Sequence, residues 1–246
     1  MIESFIEETN RSKSRAEVLG LYLKAMQQFG YDRVNYSYVT DQPDINQQAE
    51  FGLETTYPKE WLERYTEQNY LPVDPPFLYA MKFNGPFTWA SLVKMWEYSA
   101  VQNQINDEAN VFQMFKGAAV AIHGRFGGLS GVGVASSYDK EMPTSTTLRK
   151  IDLLTRQFHY VYSIHNDLSK TIKEIQLSER EREILLWASE GKSDTVIGEL
   201  IGLKHSTIRY HWGNIFKKLE VNERTLAVVK AIKIRLITPN SIIVRY

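Results

Sequence analysis

The sequence changes character near residue 177, and this change constrains the fold more than any other feature. Before it, helical patterns alternate with short runs rich in Tyr and Val, which are typical of strands. After it, the patterns predict only short helices. The 246 residues are enough for one large or two modest domains. We therefore expect an N-terminal domain at residues 1–168, a linker at 169–176 and a C-terminal domain at 177–246.

The N-terminal region is predicted to be a mixed α/β (α+β) domain, with an antiparallel sheet flanked by helices. A capping box of Ser14 and Glu17 begins a helix that Gly30 ends. Strands are predicted at residues 34–39, 117–123 and 129–136, the last two forming a hairpin through residues 125–128. Further helices are predicted at residues 58–68, with Pro58 in the first turn, and at 104–115 and 144–168.

The C-terminal region is predicted to be an all-α domain of four helices. A second capping box, Ser178 with Glu181, opens a helix that ends at Gly191. The remaining helices are expected at residues 194–201, 206–218 (with Ser206 as the N-cap) and 223–235. The short turn at residues 202–204 contains a Gly, so the second and third helices fit a helix-turn-helix.

The neutral net charge hides a basic C-terminal end. Residues 201–246 hold nine Lys and Arg but only two acidic residues, Glu220 and Glu223. Such an end suggests a polyanionic partner, although charge alone favours the simpler interpretation of a solvated helical surface. The absence of Cys excludes disulfides, thiolate zinc sites and cysteine nucleophiles. The acidic start and the lack of a long apolar run give no secretory signal and no membrane span, so we expect a cytoplasmic protein.

The helix at residues 206–218 has a side that suits a DNA groove. Its apolar residues form a stripe: Ile208, Trp212, Ile215, Phe216 and Leu219. On the other side, Arg209 would reach a guanine edge or a phosphate and Tyr210 a base or the backbone. Phosphate contacts, or support of the helix, are expected from Thr207, His211, Asn214, Lys217 and Lys218. The pattern alone fits a helical bundle for protein contact equally well.

Residues 177–237 resemble the C-terminal DNA-binding domain of LuxR-type transcription regulators. The matching positions are Leu177, Ser178, Glu179, Arg180, Glu181, Leu185, Trp187, Ala188, Gly191, Lys192, Ile197, Leu203, Ser206, Thr207, Ile208, His211, Asn214, Ile215, Lys218 and Leu219. The resemblance implies that Lys192 and Ser206 also belong to the DNA-contacting set. Gly198 departs from the family's usual Ala, which we expect to cost about 1 kcal/mol of helix stability. Gly213 replaces a basic or polar groove-facing residue, so the resemblance does not fix the base preference.

Aromatic residues in the N-terminal region surround one carboxylate in the sequence. Tyr57, Trp61 and Tyr65 are four residues apart and share a helix face, and Asp74 and Trp89 follow. Core packing is sufficient to explain the rings alone. Their hydroxyl and indole N–H groups, however, suit an apolar pocket for a small amphiphilic ligand. A buried Asp74 with no Lys or Arg beside it would also need an N–H donor, because an unpaired buried charge is costly.

These residues resemble the signal-binding domain of the same LuxR-type family. The pocket signature comprises Trp61, Tyr65, Asp74, Pro75, Trp89 and Gly117, and Tyr57 with Pro58 also matches. The resemblance implies an N-acyl-homoserine lactone ligand, with Trp61 donating to the lactone carbonyl and Asp74 accepting from the amide N–H. It implies that Tyr57 and Tyr65 serve the acyl carbonyl and that Trp89 packs on the lactone ring. Pro75 and Gly117 would shape the backbone.

A set of glycines departs from this family pattern. Gly133 stands where several relatives place a Ser or Thr near the amide carbonyl, and we count it among the ligand-binding positions. Gly127, Gly128 and Gly131 thin the same hairpin. The glycines favour either a wider acyl tunnel or a looser sheet without consequence for the ligand, and the sequence does not choose between them.

The resemblance covers nearly the whole chain and implies a quorum-sensing transcription regulator rather than an enzyme. It implies a homodimer on a two-fold DNA site, with the helices at 144–168 and 223–235 as the expected dimer surfaces. The expected partners are double-stranded DNA, the lactone and RNA polymerase. No membrane partner, metal or cofactor is expected. The alternatives are a LuxR-type regulator that senses another small molecule or none, and a lactone hydrolase, for which the sequence shows neither a metal-ligand cluster nor a placed nucleophile.

Overall fold

The computed structural model describes residues 1–42, 47–124, 128–138, 141–165, 175–234 and 236–239. The described residues up to 165 form one compact unit, and those from 175 onward form a second. We call them the N-terminal unit and the C-terminal unit. Residues 169–174 of the predicted linker and residues 125–127 of the predicted hairpin turn lie outside the described residues.

The N-terminal unit contains an antiparallel sheet, as predicted. Its strands are β1 (Arg33–Tyr38), β2 (Glu50–Thr55), β3 (Gly85–Thr88), β4 (Phe115–His123) and β5 (Leu129–Ser136), in the spatial order β2-β1-β5-β4-β3. Strands β1, β4 and β5 correspond to the three predicted strands. The sequence did not reveal β2 or β3, because β2 is a largely polar edge strand and β3 has only four residues.

Seven helices surround this sheet in the described part of the unit. They are α1 (Ile2–Arg11), α2 (Arg15–Gln28), α3 (Lys59–Glu67), α4 (Pro75–Ala80), α5 (Trp89–Val93), α6 (Ala100–Val111) and α7 (Ser145–Ile164). A short 3-10 helix at Leu71–Val73 precedes α4. The predicted helix at 104–115 is displaced, because a Ser99–Gln102 capping box begins α6 and Gln113, with a φ of 56°, follows its end. Pro58 lies at the N-cap of α3, one residue before the first turn.

Helices α1, α2 and α7 close one face of the sheet. Tyr36 and Tyr38 of β1 point into this core and are almost fully buried. The Tyr22 ring of α2 stacks on Phe158 of α7, with ring centroids 4.4 Å apart. The buried Tyr22 hydroxyl bonds to Thr155 Oγ1 at 2.7 Å. Aromatic packing and a satisfied hydroxyl therefore leave this face as a closed hydrophobic core.

The C-terminal unit consists of helices, as predicted. They are α8 (Glu179–Ser189), α9 (Asp194–Ile201), α10 (His205–Leu219) and α11 (Arg224–Lys233). The predicted capping box forms, since Ser178 caps the Glu181 N–H while Glu181 Oε2 accepts from the Ser178 N–H at 2.7 Å. The N-cap of α10 is Lys204 rather than Ser206, so the predicted N-cap is wrong by two residues. Over all the described ranges, no helix is long and apolar enough to cross a membrane.

Gly198 allows α9 to pack closely against the turn that follows it. A Cβ atom at Gly198 would lie 2.6 Å from the Leu203 carbonyl oxygen. The Leu203 N–H also donates to the Gly198 carbonyl at 2.8 Å, which ties the turn to the helix. The intrinsic cost of a helical Gly remains, but Ala would not relieve it here. The expected cost of a helical Gly is thus set against a close contact with Leu203 that Ala would not allow.

We predict that Gly198→Ala destabilises the C-terminal unit, whereas Gly213→Ala stabilises it. The first change forces a methyl group against backbone, and overpacking of this kind costs about 1–3 kcal/mol. The second places its methyl group in open space on α10 and should gain up to about 1 kcal/mol from helix propensity. Hydrogen–deuterium exchange of α9 and α10 peptides measures both effects in the full chain. Equal protection in the two variants would contradict this account of Gly198.

Candidate functional site

A cavity of about 130 Å³ lies between the open face of the sheet and helices α3 to α6. Its floor consists of two rows of paired strand residues that face the same side: Asn35, Gly133 and Ala119 in one row, and Ser37, Gly131 and Ala121 in the next. These residues share a face because alternate residues of a strand point to opposite sides. Four of the six are Gly or Ala, so the middle of the sheet fills little of the space beneath the helices.

The predicted aromatic residues form the wall of this cavity. Tyr57, Trp61, Tyr65 and Trp89 all line it. The rings of Trp61 and Tyr65 meet edge to face, with centroids 5.6 Å apart, and both residues are nearly buried. Phe51 of β2 stacks on Tyr65, with centroids 5.0 Å apart. Trp61 and Tyr65 of α3 and Phe51 of β2 therefore support one another in the wall.

A charged network fixes the spacing of two helices that wall the cavity. Arg64 of α3 contacts Glu108 of α6 through two parallel hydrogen bonds, of 2.9 Å from Nε and 2.7 Å from Nη2. The Tyr70 hydroxyl donates to the same carboxylate at 3.0 Å. The guanidinium lowers the pKa of Glu108 to about 2, so the pair stays charged at neutral pH. Neither Arg64 nor Glu108 lines the cavity, which leaves the cavity carboxylate without this cation.

Asp74 supplies that cavity carboxylate. It is the N-cap residue of α4, yet its side chain makes no capping hydrogen bond. Pro75 and Pro76 follow it and lack the N–H groups that begin a helix, which removes one of the donors that an N-cap side chain normally uses. The Tyr65 hydroxyl instead donates to Asp74 Oδ2 at 2.9 Å, and among the described residues this is the one hydrogen bond to the carboxylate.

Burial dominates the electrostatics of this group. It raises the pKa of Asp74 to about 7, and the hydrogen bond from Tyr65 offsets only part of that rise. The pKa values of Tyr57 and Tyr65 are raised as well, first by burial and then by the nearby Asp74 charge. Both phenols therefore remain protonated hydrogen-bond donors at neutral pH. The site therefore combines the Asp74 carboxylate, a hydrogen-bond acceptor, with tyrosine hydroxyl groups that can donate hydrogen bonds.

Two further polar atoms at the cavity are buried without a hydrogen-bond partner among the described residues: Trp89 Nε1 and Asn35 Oδ1. Both residues line the cavity. An unsatisfied buried polar atom costs about 1–3 kcal/mol, so it calls for a ligand group or a water molecule. The sequence indicated Trp89 but not Asn35. Polar residues alternating with Val34 and Tyr36 in β1 are typical of a solvent-exposed side, whereas here that side is buried and lines the cavity.

The glycines of the sheet act in different ways. A Cβ at Gly117 would lie 2.1 Å from the Trp89 ring, so Gly117 makes room for that ring without lining the cavity itself. A Cβ at Gly133 would lie 2.6 Å from the Tyr57 hydroxyl oxygen, which occupies the space that a side chain would take. At Gly131 a Cβ would meet its nearest atom, on Val39, at 3.7 Å, so this glycine leaves free space in the cavity. Gly127 lies outside the described residues.

Other cavity residues were not predicted. Pro75 is buried beneath the site, and it is the next residue, Pro76, that lines the cavity. The unpredicted lining residues are Asn35, Ser37, Val39, Phe51, Leu71, Pro76, Phe77, Ala80, Ile105, Asn106, Ala109, Ala119, Val120, Ala121, Gly131 and Val132. Most are small or apolar and carry no signal that separates a cavity wall from an ordinary core.

Helix α10 presents the predicted groove-facing side to solvent. Ile208, Trp212, Ile215 and Leu219 are buried against the other helices, as the spacing predicted. On the opposite side the exposed residues are Ser206, Arg209, Tyr210, Gly213, Lys217 and Lys218. Thr207, His211 and Asn214 are half-buried at the edges of this side. Tyr210 is 67% exposed, an unusual amount for an aromatic ring on a helix with a packed core.

Two of the predicted DNA-contacting lysines have different surroundings. The Lys218 ammonium contacts the buried Glu181 carboxylate at 2.7 Å, so it joins α10 to the start of α8. Lys192 has an exposed side chain, and its carbonyl accepts a hydrogen bond from Arg224. The same Arg224 lies over the Trp212 ring, 5.4 Å from its centroid. These contacts fix the orientation of α10 within the unit.

Two family models match the chain, one for each unit. The autoinducer binding domain model matches residues 14–161, and the model of bacterial regulatory proteins of the luxR family matches residues 175–231. The HTH-type quorum-sensing regulator RhlR of Pseudomonas aeruginosa is 30% identical over 229 residues, covering 89% of this chain and 89% of RhlR. The transcriptional activator protein BjaR1 of Bradyrhizobium diazoefficiens is 28% identical over 237 residues, covering 96% of this chain and 95% of BjaR1.

The fold is also similar to that of a solved structure. The crystal structure of Escherichia coli SdiA matches with a TM-score of 0.71 at 22% identity, covering 96% of this chain and 98% of that one. The cavity-bearing unit and the helix-turn-helix unit thus define a two-part transcription regulator. The chain belongs to the LuxR family of quorum-sensing transcription regulators, with an N-terminal autoinducer-binding domain and a C-terminal DNA-binding domain.

We predict that Asp74 makes the ligand-free protein less stable as the pH rises from about 4 to about 7. Over this range the folded carboxyl keeps a proton, since its pKa is about 7, while the unfolded chain has released it. Asp74→Asn should remove this part of the slope, and the exposed Asp107→Asn on α6 should not. Urea unfolding at several pH values measures the difference. Parallel stability profiles for wild type and Asp74→Asn would contradict the buried state of this carboxyl.

Proposed function

We propose that the autoinducer of this regulator is an N-acyl-homoserine lactone bound in the cavity, with its amide N–H on Asp74. One observation carries the proposal: the half-buried Asp74 carboxylate lines the cavity, and among the described residues only the Tyr65 hydroxyl is bonded to it. A buried carboxylate without a cation needs further N–H donors. The ligand amide supplies one on Oδ1, while Tyr65 keeps Oδ2.

The two tyrosines then divide their roles. A phenol has a single proton, and that of Tyr65 is already donated to Asp74. The Tyr57 hydroxyl is therefore the donor for the acyl carbonyl, and Gly133 leaves it the space to lie there. The Trp61 indole N–H donates to the lactone carbonyl. Trp89 packs on the lactone ring with Gly117 behind it, and Pro75 holds the backbone beside Asp74.

We propose that the lactone is bound and released intact. The family consists of transcription regulators, and a hydrolase would need an activated nucleophile or a metal-bound water at the ring. No group of His, Asp and Glu suited to a metal ion occurs in the part of the chain that the structure describes. A regulator that senses another small molecule is the alternative, and a ligand without an N–H donor would leave Asp74 unpaired.

We further propose that the regulator acts as a homodimer on a two-fold DNA site in the cytoplasm. Each of the two helices predicted as dimer surfaces carries an exposed apolar stripe. The stripes are Leu153, Tyr160 and Ile164 on α7, and Leu226, Val229 and Ile232 on α11. Exposed apolar stripes of this kind are typical of helices that associate. Two copies of α10 would then read two half-sites about one turn of DNA apart.

Ligand binding and dimerisation are linked in this scheme. A lactone that binds only the folded, dimer-competent state stabilises it by about 2.7 kcal/mol at a hundredfold excess over its Kd. The size of this effect depends on how strongly the ligand distinguishes that state from the others. The cavity therefore acts as the regulatory input of the protein, and α10 is the element that contacts DNA.

We predict that Asp74→Asn weakens lactone binding by roughly ten- to a hundredfold. Hydrogen bonds to a charged partner contribute about 1.5–3 kcal/mol, and the neutral amide loses most of this. Isothermal titration with N-octanoyl-homoserine lactone measures the change. Asp107→Asn, which replaces an exposed carboxylate on α6, should bind as wild type does. Unchanged affinity in Asp74→Asn would show that the carboxylate does not hold the ligand.

We predict that Arg209→Ala weakens binding to a two-fold operator. Loss of a contact with a base edge costs about 1–3 kcal/mol in each half-site. The duplex is selected by the wild-type protein from a random library, and gel-shift titration compares the variants on it. Arg180→Ala is the matched control, because Arg180 is exposed on α8 and pairs with Glu183. If both variants retain wild-type affinity, α10 does not enter the groove with this side.

A further inference from the structure

The cavity side of β1 is polar although it is buried. Asn35 is 6% exposed and Ser37 is 4% exposed, and both line the cavity. The neighbouring floor residues of β4 and β5, at 119, 121, 131 and 133, are all Ala or Gly. Buried polar groups are costly unless they are hydrogen-bonded. The donors and acceptors that these two side chains leave unpaired therefore indicate which ligand groups would pair with them.

Ser37 has a proton left to donate. Its Oγ accepts a hydrogen bond from the Gly52 N–H at 2.9 Å and another from the Asn35 Nδ2 amide at 3.1 Å. A serine hydroxyl has two acceptor lone pairs and one proton. Both lone pairs are in use, and no described residue accepts the proton. The Ser37 hydroxyl is therefore a free donor at the cavity.

Asn35 has a hydrogen-bond acceptor that is not used. Its Oδ1 is buried and accepts no hydrogen bond from any described residue. In the structure the Nδ2 group donates to Ser37 Oγ, which turns Oδ1 away from that hydroxyl. The pair thus presents a free donor from Ser37 and a free acceptor from Asn35 on the same face of one strand, two residues apart.

The register of the sheet locates this pair relative to the proposed ligand. Asn35 lies directly opposite Gly133 on the neighbouring strand β5. A Cβ at Gly133 would be 2.6 Å from the Tyr57 hydroxyl, the group to which we assign the acyl carbonyl. Neighbouring strands are about 4.8 Å apart, which corresponds to a few bonds of an acyl chain. The pair therefore faces the part of the chain next to the amide carbonyl.

We propose that Asn35 and Ser37 form a subsite for a hydroxyl group, so that the ligand is an acyl-homoserine lactone hydroxylated close to its amide carbonyl. This inference rests on the proposed lactone ligand. A hydroxyl donates to Asn35 Oδ1 and accepts from Ser37 at the same time. A ketone at the same carbon accepts only, which leaves Asn35 unmatched, and a methylene group satisfies neither residue.

The experiment is a titration of the full-length protein with three lactones of one acyl length: N-octanoyl-, N-(3-oxooctanoyl)- and N-(3-hydroxyoctanoyl)-homoserine lactone. The hydroxylated ligand should bind about tenfold more tightly than the unsubstituted one, with the ketone between them. Equal affinities, or a preference for the ketone, would overturn the subsite and leave the proposed lactone function intact. If none of the three binds, the proposed function fails and this inference fails with it.

Two variants test the residues themselves. Asn35→Leu should abolish the hydroxyl preference and raise the affinity for the unsubstituted lactone, because it removes the unmatched acceptor. Ser37→Ala should reduce the preference by a smaller factor, and it provides a second reading if Asn35→Leu folds poorly. Asn110→Leu, on the exposed side of α6 and outside the cavity, should keep the preference. A hydroxyl preference that survives in both β1 variants would overturn the assignment.

Discussion

The cavity depends on one carboxylate, that of Asp74, which the fold turns into the cavity without completing its hydrogen bonds. Asp74 is placed at the start of α4, where Pro75 and Pro76 lack backbone N–H groups, and Tyr65 supplies a single hydroxyl proton. The Arg64 guanidinium, on the same helix as Tyr65, is paired with Glu108 instead. Burial raises the pKa of Asp74 to about 7, so neither protonation state dominates at neutral pH, and a hydrogen bond from an N–H donor would favour the ionised state. A carboxylate of this kind favours a ligand that carries an N–H donor over a purely apolar one.

The two faces of the sheet explain how one domain contains both a packed hydrophobic core and a cavity. On one side, large residues such as Tyr22, Tyr36 and Phe158 fill the space between the sheet and α7. On the other side, the strands carry small residues at the same depth, including Ala119 and Gly131, and the helices cannot collapse onto them. Aromatic contacts among the wall residues hold the helices apart. The cavity is thus a consequence of side-chain size on alternate strand positions.

The helices could be predicted where local signals in the sequence, such as a capping residue and apolar spacing, agree with the packing of the domain. The Ser14 cap and the apolar spacing after it placed α2 correctly, and Ser178 with Glu181 placed α8. The identity of the pocket residues came from their resemblance to a family, since aromatic spacing alone fits a packed core. Tertiary packing decided the rest. Asn35 of β1 gave no signal for the cavity, because only tertiary packing decides that α3 to α6 cover that side of the strand. Helix propensity favoured Ala at position 198, where the carbonyl of Leu203 leaves no room.

The most direct test of the account is a crystal structure of the full-length protein grown with an N-acyl-homoserine lactone. The measurement is the distance from the ligand amide nitrogen to the nearer oxygen of Asp74. The account predicts about 2.7–2.9 Å, as for a charge-assisted hydrogen bond, with Tyr65 still bonded to the other oxygen. A lactone seated elsewhere, with the carboxylate still bonded to Tyr65 alone, would contradict it.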